Sequence, residues 1–412
     1  MRIQIGEGCT KFLILIAVIN KNASEKFMVS RMKINYRNIH WDYESIYIAL
    51  ILGGSSLVIH PYLALFVASI VQIYRKFSSF LFFSVFIPSI SMFWAGRNIC
   101  FEYATGLDDA CHYSETFRRV NEIGITNLFD IGLPDFFGNE PGFMLIHHVV
   151  WVFSDNFKAF LFLIHVLTLG LLAFGYSKIE KRSAVIMLGL IFFGLGNFAE
   201  QAGLHLLKST LAGAFLFAAI AVYSGNKKLC FALLIISIFI HFSVIPLVSI
   251  FFLILIYLKL KKRTYKSIFI IIIFVIGGFL LRIIPFSFLE SRYMYIDINR
   301  NIYISTFNLL SILSLFFLNF KTNTVILYGI TITLILTFVD IVSPEHSFVT
   351  GRYFAVIQPF VSVLLFFLIQ VLVKGKLLFS IVITLLATNK LHMLYDSSFI
   401  KEAFPDFMNL FW

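Results

Sequence analysis

Long apolar runs, broken by short charged stretches, recur along this chain from Ser45 to Leu394. A helix needs about 20 apolar residues to cross a bilayer, and fewer where the lipid is thinned. The pattern predicts about twelve transmembrane helices, over 46–73, 77–96, 157–176, 183–199, 208–223, 229–243, 245–258, 267–285, 304–320, 324–342, 353–373 and 377–393. The run Leu229–Leu258 has basic loops at both ends, so it must go out and return, with its outer bend near His241–Pro246. Phe143–Phe153 is apolar but too short to span and predicts an interfacial or re-entrant helix. The expected fold class is an all-α polytopic membrane protein. A transmembrane domain over 45–395 lies between an N-terminal leader or tail (1–44) and a C-terminal tail (396–412). Met32 is a second candidate start.

Composition agrees with the pattern. Hydrophobic residues make up 59% of the 412 positions and charged residues only 13%, with 50 Phe. Soluble domains average about 45–50% apolar and about 25% charged residues. A soluble enzyme, a disordered protein and a disulfide scaffold are excluded. The net charge of +11 must be read loop by loop rather than as a nucleic-acid footprint, and no nucleic-acid partner is expected.

One set of loops carries Arg75, Lys76, Lys178, Lys181, Arg182, Lys227, Lys228, Lys259, Lys261, Lys262, Arg263, Lys266, Lys321, Lys374 and Lys376, with Glu180 the only acid among them. By the positive-inside rule these loops are cytoplasmic. The opposite side then holds one long acidic loop, 97–142. With 46–73 counted as one crossing, the basic patch Arg31–Arg37 falls outside, against the rule. Cys100 and Cys111 share the long loop and would pair if it is oxidised, although two free thiols are the expectation. No CxxC spacing suggests zinc or redox chemistry.

The external face collects ionisable groups at helix ends: Arg97, Asp108, Asp109, Glu140, Lys208, His241, Arg282, Arg292 and Arg352. Charges at a membrane edge anchor helix ends by snorkelling or mark function. Cations beside carboxylates suit transfer from a lipid-linked pyrophosphate. Arg or Lys would bind the anionic oxygens and stabilise the leaving charge, while a carboxylate or His takes the proton of an acceptor hydroxyl. Asp108 and Asp109 alone are weak evidence for a metal, and neither metal nor cofactor is expected. His147 and His148, consecutive on a short helix, point about 100° apart and cannot form one site. His60 and His165 are expected to be satisfied by neighbouring helices. His241 stands out because it interrupts an apolar run at its outer bend.

These residues resemble a family. Arg97 after an apolar helix, then Gly106, Asp108 or Asp109, and Tyr113, resembles the R…G-x-D…Y opening of EpsG-like proteins, Wzy-type polymerases of bacterial exopolysaccharide and O-antigen. Glu140-Pro141-Gly142-Phe143 resembles that family's E-P-G-F segment. Lys208–Ala212, Asn226–Lys228 and Ile240–Ser243 resemble its R-Q-x-x-A, K-K and H-x-S elements, and Gly351-Arg352-Tyr353 its late R-Y element. Lys208 and Ser209 depart from Arg and Gln; Lys keeps the charge without the bidentate fork.

The resemblance implies a polysaccharide polymerase of the bacterial cytoplasmic (inner) membrane. It would move a growing glycan from undecaprenyl pyrophosphate to a lipid-linked repeat unit on the external face. Asp108, Asp109, Glu140 and His241 are then the catalytic candidates, and Arg97, Tyr113, Lys208, Arg292 and Arg352 the pyrophosphate or substrate contacts. The expected partners are the undecaprenyl-pyrophosphate-linked oligosaccharide, the bilayer and a chain-length regulator. The competing readings are a lipid-phosphate-sugar glycosyltransferase that adds single sugars and, below it, a flippase for the lipid-linked oligosaccharide. Against transport stand the near absence of charge at helix centres and the lack of related halves.

Overall fold

The computed structural model describes residues 43–99, 111, 113–115, 117–118, 140–194, 198, 202–203, 206–289, 310, 313–314, 317–318, 323–342 and 347–396. Of these, 263, 280–289, 340–342, 347–352 and 393–396 are described by backbone alone. The chain divides into two units after Tyr43, and the helical bundle belongs to the larger one, Glu44–Trp412.

Every regular element among the described residues is helical: α1 Tyr43–Val58, α2 Pro61–Tyr74, α3 Ser79–Ala95, α4 Pro141–Phe153, α5 Phe157–Ile179, α6 Ala184–Phe193, α7 Leu207–Val222, α8 Lys227–Ile240, a 3-10 turn Phe242–Val244, α9 Ile245–Lys259, α10 Arg263–Leu289, α11 Thr324–Val342, α12 Ser347–Leu372 and α13 Lys376–Asp396. Three segments are long and apolar enough to cross a membrane, namely Phe157–Ile179, Phe242–Lys259 and Tyr353–Leu372. Eight more apolar helices run for 10–17 residues where their side chains are described, Thr264–Phe279 and Thr324–Val339 among them, so twelve full-length crossings are not reached among the described residues. The expected span 304–320 lies mostly outside them.

The breaks between apolar runs are made by local chemistry. Asn156 caps α5 by accepting from the Lys158 N–H at 2.9 Å, and Asn226 caps α8 by accepting from the Leu229 N–H at 3.0 Å. Such side chains satisfy backbone donors that the first helical turn leaves orphaned. Gly194 closes α6 after ten residues, well short of the span expected over 183–199. The bend expected near His241–Pro246 is the extended His241 and the 3-10 turn between α8 and α9.

One expected crossing is overturned. The run 46–73 is a hairpin of two helices, broken where Pro61 opens α2 and His60 is extended (φ −165°, ψ 134°). Proline lacks the N–H that a continuous helix needs and disfavours helical backbone in the residue before it. The two ends of the run meet: Arg75 pairs with Glu44 at 2.9 Å and the Ser45 hydroxyl lies 3.4 Å from the Lys76 carbonyl. The chain therefore enters α1 at the same end at which it leaves α2.

The core is built around α6 and α7. All ten residues of α6 are buried, as is nearly every residue of α7. Helix α7 packs against α5, α8 and α12, and small residues let it do so. A Cβ on Gly213 would come within 2.8 Å of the Val356 carbonyl oxygen on α12. Polar cross-links fix the helices' depth. The Ser237 hydroxyl of α8 donates to the Ala212 carbonyl of α7 (2.7 Å), and the Tyr328 hydroxyl of α11 to the Leu247 carbonyl of α9 (3.0 Å). Gln72 Oε1 of α2 accepts from the backbone N–H groups of Val185 and Ile186 (3.0 and 3.2 Å), so a side chain from another helix caps α6.

Candidate functional site

Glu140, Lys208 and His241 come from three separate stretches of sequence and meet at one point. Glu140 immediately precedes α4, Lys208 is in the first turn of α7, and His241 follows α8. Lys208 Nζ lies 2.8 Å from Glu140 Oε2 and His241 Nδ1 lies 2.6 Å from Glu140 Oε1. The Glu140 side chain is 4% exposed, against 18% for Lys208 and 14% for His241. The carboxylate is thus the buried centre of the cluster, and its two partners reach toward the outside.

Local sequence explains the meeting. Pro141 starts α4 where the first N–H would be unsatisfied anyway, and the Glu140 side chain makes no capping hydrogen bond to that helix. It is left available for Lys208 and His241. Gly142 lets α4 touch the end of α8, since a Cβ there would lie 2.8 Å from both the carbonyl carbon and oxygen of Phe239. His241 is aimed by its extended backbone (φ −158°, ψ 113°) while its N–H still closes the last turn of α8 on the Ser237 carbonyl. Each member of the Glu-Pro-Gly segment therefore has a separate geometric task.

Aromatic rings complete the surroundings of Lys208. Its ammonium sits 5.3 Å from the Tyr113 ring centroid and 5.9 Å from that of Phe143, within the range of cation–π attraction. Phe143 is fixed in turn by Tyr113, Phe160 and His147 at 5.0, 5.5 and 5.0 Å. His147 itself is fully buried and neither of its ring nitrogens has a hydrogen-bond partner. Its ring lies 3.9 Å from Phe160.

Burial by itself would raise the Glu140 pKa, but the Lys208 charge and the hydrogen bond from His241 outweigh it and hold the carboxyl down at about 2. Glu140 is consequently an anion at any physiological pH and only accepts hydrogen bonds. It follows that His241 carries its proton on Nδ1, which donates to Glu140. A neutral His241 then presents Nε2 as a lone pair. This is the pairing that a carboxylate imposes on a histidine base in hydrolytic triads.

Of the other residues singled out by sequence, Arg97 follows α3 and is 1% exposed, so it is not snorkelling to a headgroup. Tyr113 joins the Lys208 surroundings. Arg352 lies in the second turn of α12, described by backbone alone. Asp108, Asp109 and Arg292 lie outside the described residues, and so does the side chain of Arg282. Two expectations change. Cys111 is disulfide-bonded, with its partner outside the described residues, where two free thiols were expected; Cys230 is free and buried. His165 is not satisfied by a neighbouring helix, because its Nε2 is buried with no partner. The ring that meets it from α3 is Trp94, which supplies no acceptor.

No curated protein and no solved structure matches the chain. The family model that does match covers residues 97–408, which opens on Arg97 and takes in Glu140, Lys208, His241 and Arg352. With most of its length matched, this membrane protein belongs to the EpsG family, whose known kind is the Wzy-type polysaccharide polymerase.

Proposed function

We propose that the protein polymerises a surface polysaccharide, transferring a growing glycan from undecaprenyl pyrophosphate to a lipid-linked repeat unit on the external face of the bacterial cytoplasmic membrane. The observation that carries this reading is the Glu140–His241 pair. Glycosyl transfer needs a base at the acceptor hydroxyl, and a histidine with its tautomer fixed by a buried carboxylate is suited to that task. The acceptor oxygen attacks the anomeric carbon, its proton passes to His241 Nε2, and the bond from that carbon to the pyrophosphate oxygen breaks. The electron pair leaves with undecaprenyl pyrophosphate, so atoms and charge balance without a cofactor.

Within this reading Glu140 is a positioning residue rather than the base, because the Lys208 charge and the hydrogen bond from His241 hold it ionised. Lys208 neutralises the buried carboxylate. The leaving pyrophosphate falls to Arg97, Arg292 and Arg352, which keep their charge at every pH. Asp108 and Asp109 are assigned to the acceptor. The Cys111 disulfide supports the external location, since disulfides persist in oxidising compartments.

The test is genetic deletion followed by gel analysis of surface polysaccharide, with wild-type and His241→Ala complementation. The expected result is a single-repeat product that regains its ladder only with the wild-type chain, the variant inserting at normal levels. A full ladder from His241→Ala removes the base assignment. Products extended by one sugar, with no ladder in the wild type, favour a single-sugar transferase. Loss of lipid-linked repeat units from the outer face points to a flippase.

A further inference from the structure

The Glu140 cluster lies well inside the external rim of the bundle. Gly175 of α5 is level with Phe217 of α7, since a Cβ there would meet the Phe217 ring and the Tyr176 and Phe217 rings stand 4.8 Å apart. Phe143 bridges the other ends of the same two helices. It reaches Phe160 of α5 at 5.5 Å and the Lys208 ammonium at 5.9 Å, so α5 and α7 run parallel. Counted back along each helix, Lys208 is about 13 Å before Phe217, and Phe157 about 27 Å before Gly175. The first turn of α7 therefore starts about 13 Å below the external end of α5.

Two short helices meet at that depth. Helix α8 has 14 residues and α4 has 13, about 21 and 20 Å of length, and neither crosses a hydrocarbon core of about 30 Å. Helix α8 climbs from the basic loop at Lys227 and ends at His241. Helix α4 leaves Glu140 and rises to Phe153, just ahead of the Asn156 cap of α5. Gly142 brings the start of α4 against the Phe239 carbonyl of α8. The two helices make one crossing in two halves, and Glu140, Lys208 and His241 meet at the break. The outward faces on both sides of it are apolar: Leu145 (52% exposed) and Val149 above, Phe239 (47% exposed), Ile236 and Ile235 below.

A charged side chain that keeps some exposure at this depth cannot face hydrocarbon. Lys208 and His241 are partly exposed there, so a polar volume opens beside them, while Phe239, two residues before His241, faces lipid. The border between polar and apolar surroundings passes within about one helical turn of the Glu140–His241 pair. A molecule that fits such a border has a polar head and a long apolar tail. The chemistry of transfer chooses between the two lipids in the reaction. The acceptor's lipid is a whole repeat unit away from the hydroxyl that His241 deprotonates. The donor's chain begins directly after the diphosphate on the carbon under attack.

We propose that the donor's polyprenyl chain leaves the site sideways through the break between α4 and α8 and lies along the seam of Leu145, Val149, Ile236 and Phe239. The sugar and the diphosphate stay on the polar side, beside His241, and the tail on the lipid side. This deepens the polymerase reading and rests on it.

The experiment uses full-length protein in lipid nanodiscs and a diazirine-bearing undecaprenyl pyrophosphate, with labelled residues mapped by mass spectrometry. Met92 of α3 and Phe279 of α10, exposed apolar residues in the outer halves of their helices, are the reference positions. Labelling at Leu145, Ile236 and Phe239 is expected to exceed theirs by about tenfold. Unlabelled undecaprenyl pyrophosphate should compete it away and undecaprenol should not. In a polymerisation assay Leu145→Trp, which fills the seam with another apolar group, should raise the donor's KM about tenfold at nearly constant kcat. Met92→Trp should leave both unchanged. Labelling spread evenly over the exposed apolar residues, or competed equally by the alcohol, overturns the proposal, as does an unchanged donor KM in Leu145→Trp. If labelling is selective and competed but no polymer forms, the lipid seam stands and the polymerase reading fails.

Discussion

Around α6 and α7, buried side-chain oxygens close their hydrogen bonds on a neighbouring helix: Gln72 Oε1 on the start of α6, Ser237 on Ala212, Tyr328 on Leu247, and Tyr176 on Ser362 at 2.6 Å. Around α4 and the outer half of α5 the accounting is different. Glu140 is saturated by Lys208 and His241, while the nitrogens of His147 and the Nε2 of His165 are buried without partners. The first region uses polar atoms to lock helices at fixed depth. The second holds polar atoms in place and leaves part of their hydrogen-bonding capacity unspent. Open capacity in a buried position costs stability; Gln72 Nε2 and Ser91 Oγ are open as well, but around α4 and α5 the open groups are histidine nitrogens close to a charged cluster.

The difference is broken most severely at Glu140. Glu140→Gln keeps the shape but removes the charge, and its amide N–H₂ would donate to His241 Nδ1 and move the proton to Nε2. Lys208 needs the amide oxygen as its acceptor and so favours this orientation; the base is then lost, and chain growth should fall by about a hundredfold or more with insertion unchanged. Normal ladders from this variant would show that the Glu140–His241 pair does not work through its tautomer. The same carboxylate predicts an acid dependence of stability. Its folded pKa of about 2 lies below the ordinary 4.5, so its contribution is complete above pH 4.5 and is lost as the pH falls toward 2. The shift corresponds to roughly 3 kcal/mol. Unfolding followed in detergent from pH 5 to 3 should show about half of this loss, roughly 2 kcal/mol, in the wild type and not in Glu140→Gln.

Gly142→Ala perturbs the same cluster through the backbone alone. Its Cβ meets the Phe239 carbonyl, which is part of α8 and cannot swing aside. Helix α4 must shift, carrying Glu140 away from His241, and activity should drop at least about tenfold, in line with the cost of a misplacement of about 1 Å. Gly170→Ala in α5, with nothing within 4 Å of its Cβ, is the matched control and should be silent. Equal activities for the two variants would mean that the α4–α8 contact does not position the site.

How much of this the sequence disclosed depends on what is local. Helix-forming apolar runs, the outer bend at His241 and the Glu-Pro-Gly-Phe segment are readable because each depends on neighbours along the chain. The α1–α2 hairpin was signalled by His60-Pro61, yet apolar length favoured one long crossing. That Glu140, Lys208 and His241 share one point is a consequence of three helices packing around α7, which no periodicity records. His165 was hidden for the opposite reason. A lone histidine in an apolar helix ordinarily finds an acceptor on its neighbour, and only the packing reveals that Trp94 is already committed to Tyr62.

The smallest effect tests the other half of the comparison. Gln72 accepts from two N–H groups at the start of α6, and a helix whose ten residues are all buried has no water there to replace it. Gln72→Leu keeps much of the volume and orphans both donors, so stability should fall by about 1–3 kcal/mol. Its activity per folded molecule should match the wild type, because the α6 end lies near Lys181, at the opposite end of α3 from Arg97. Chain-length ladders and thermal unfolding measured on the same preparations separate these quantities. A variant that unfolds normally yet makes short chains would place Gln72 in the reaction rather than in the scaffold.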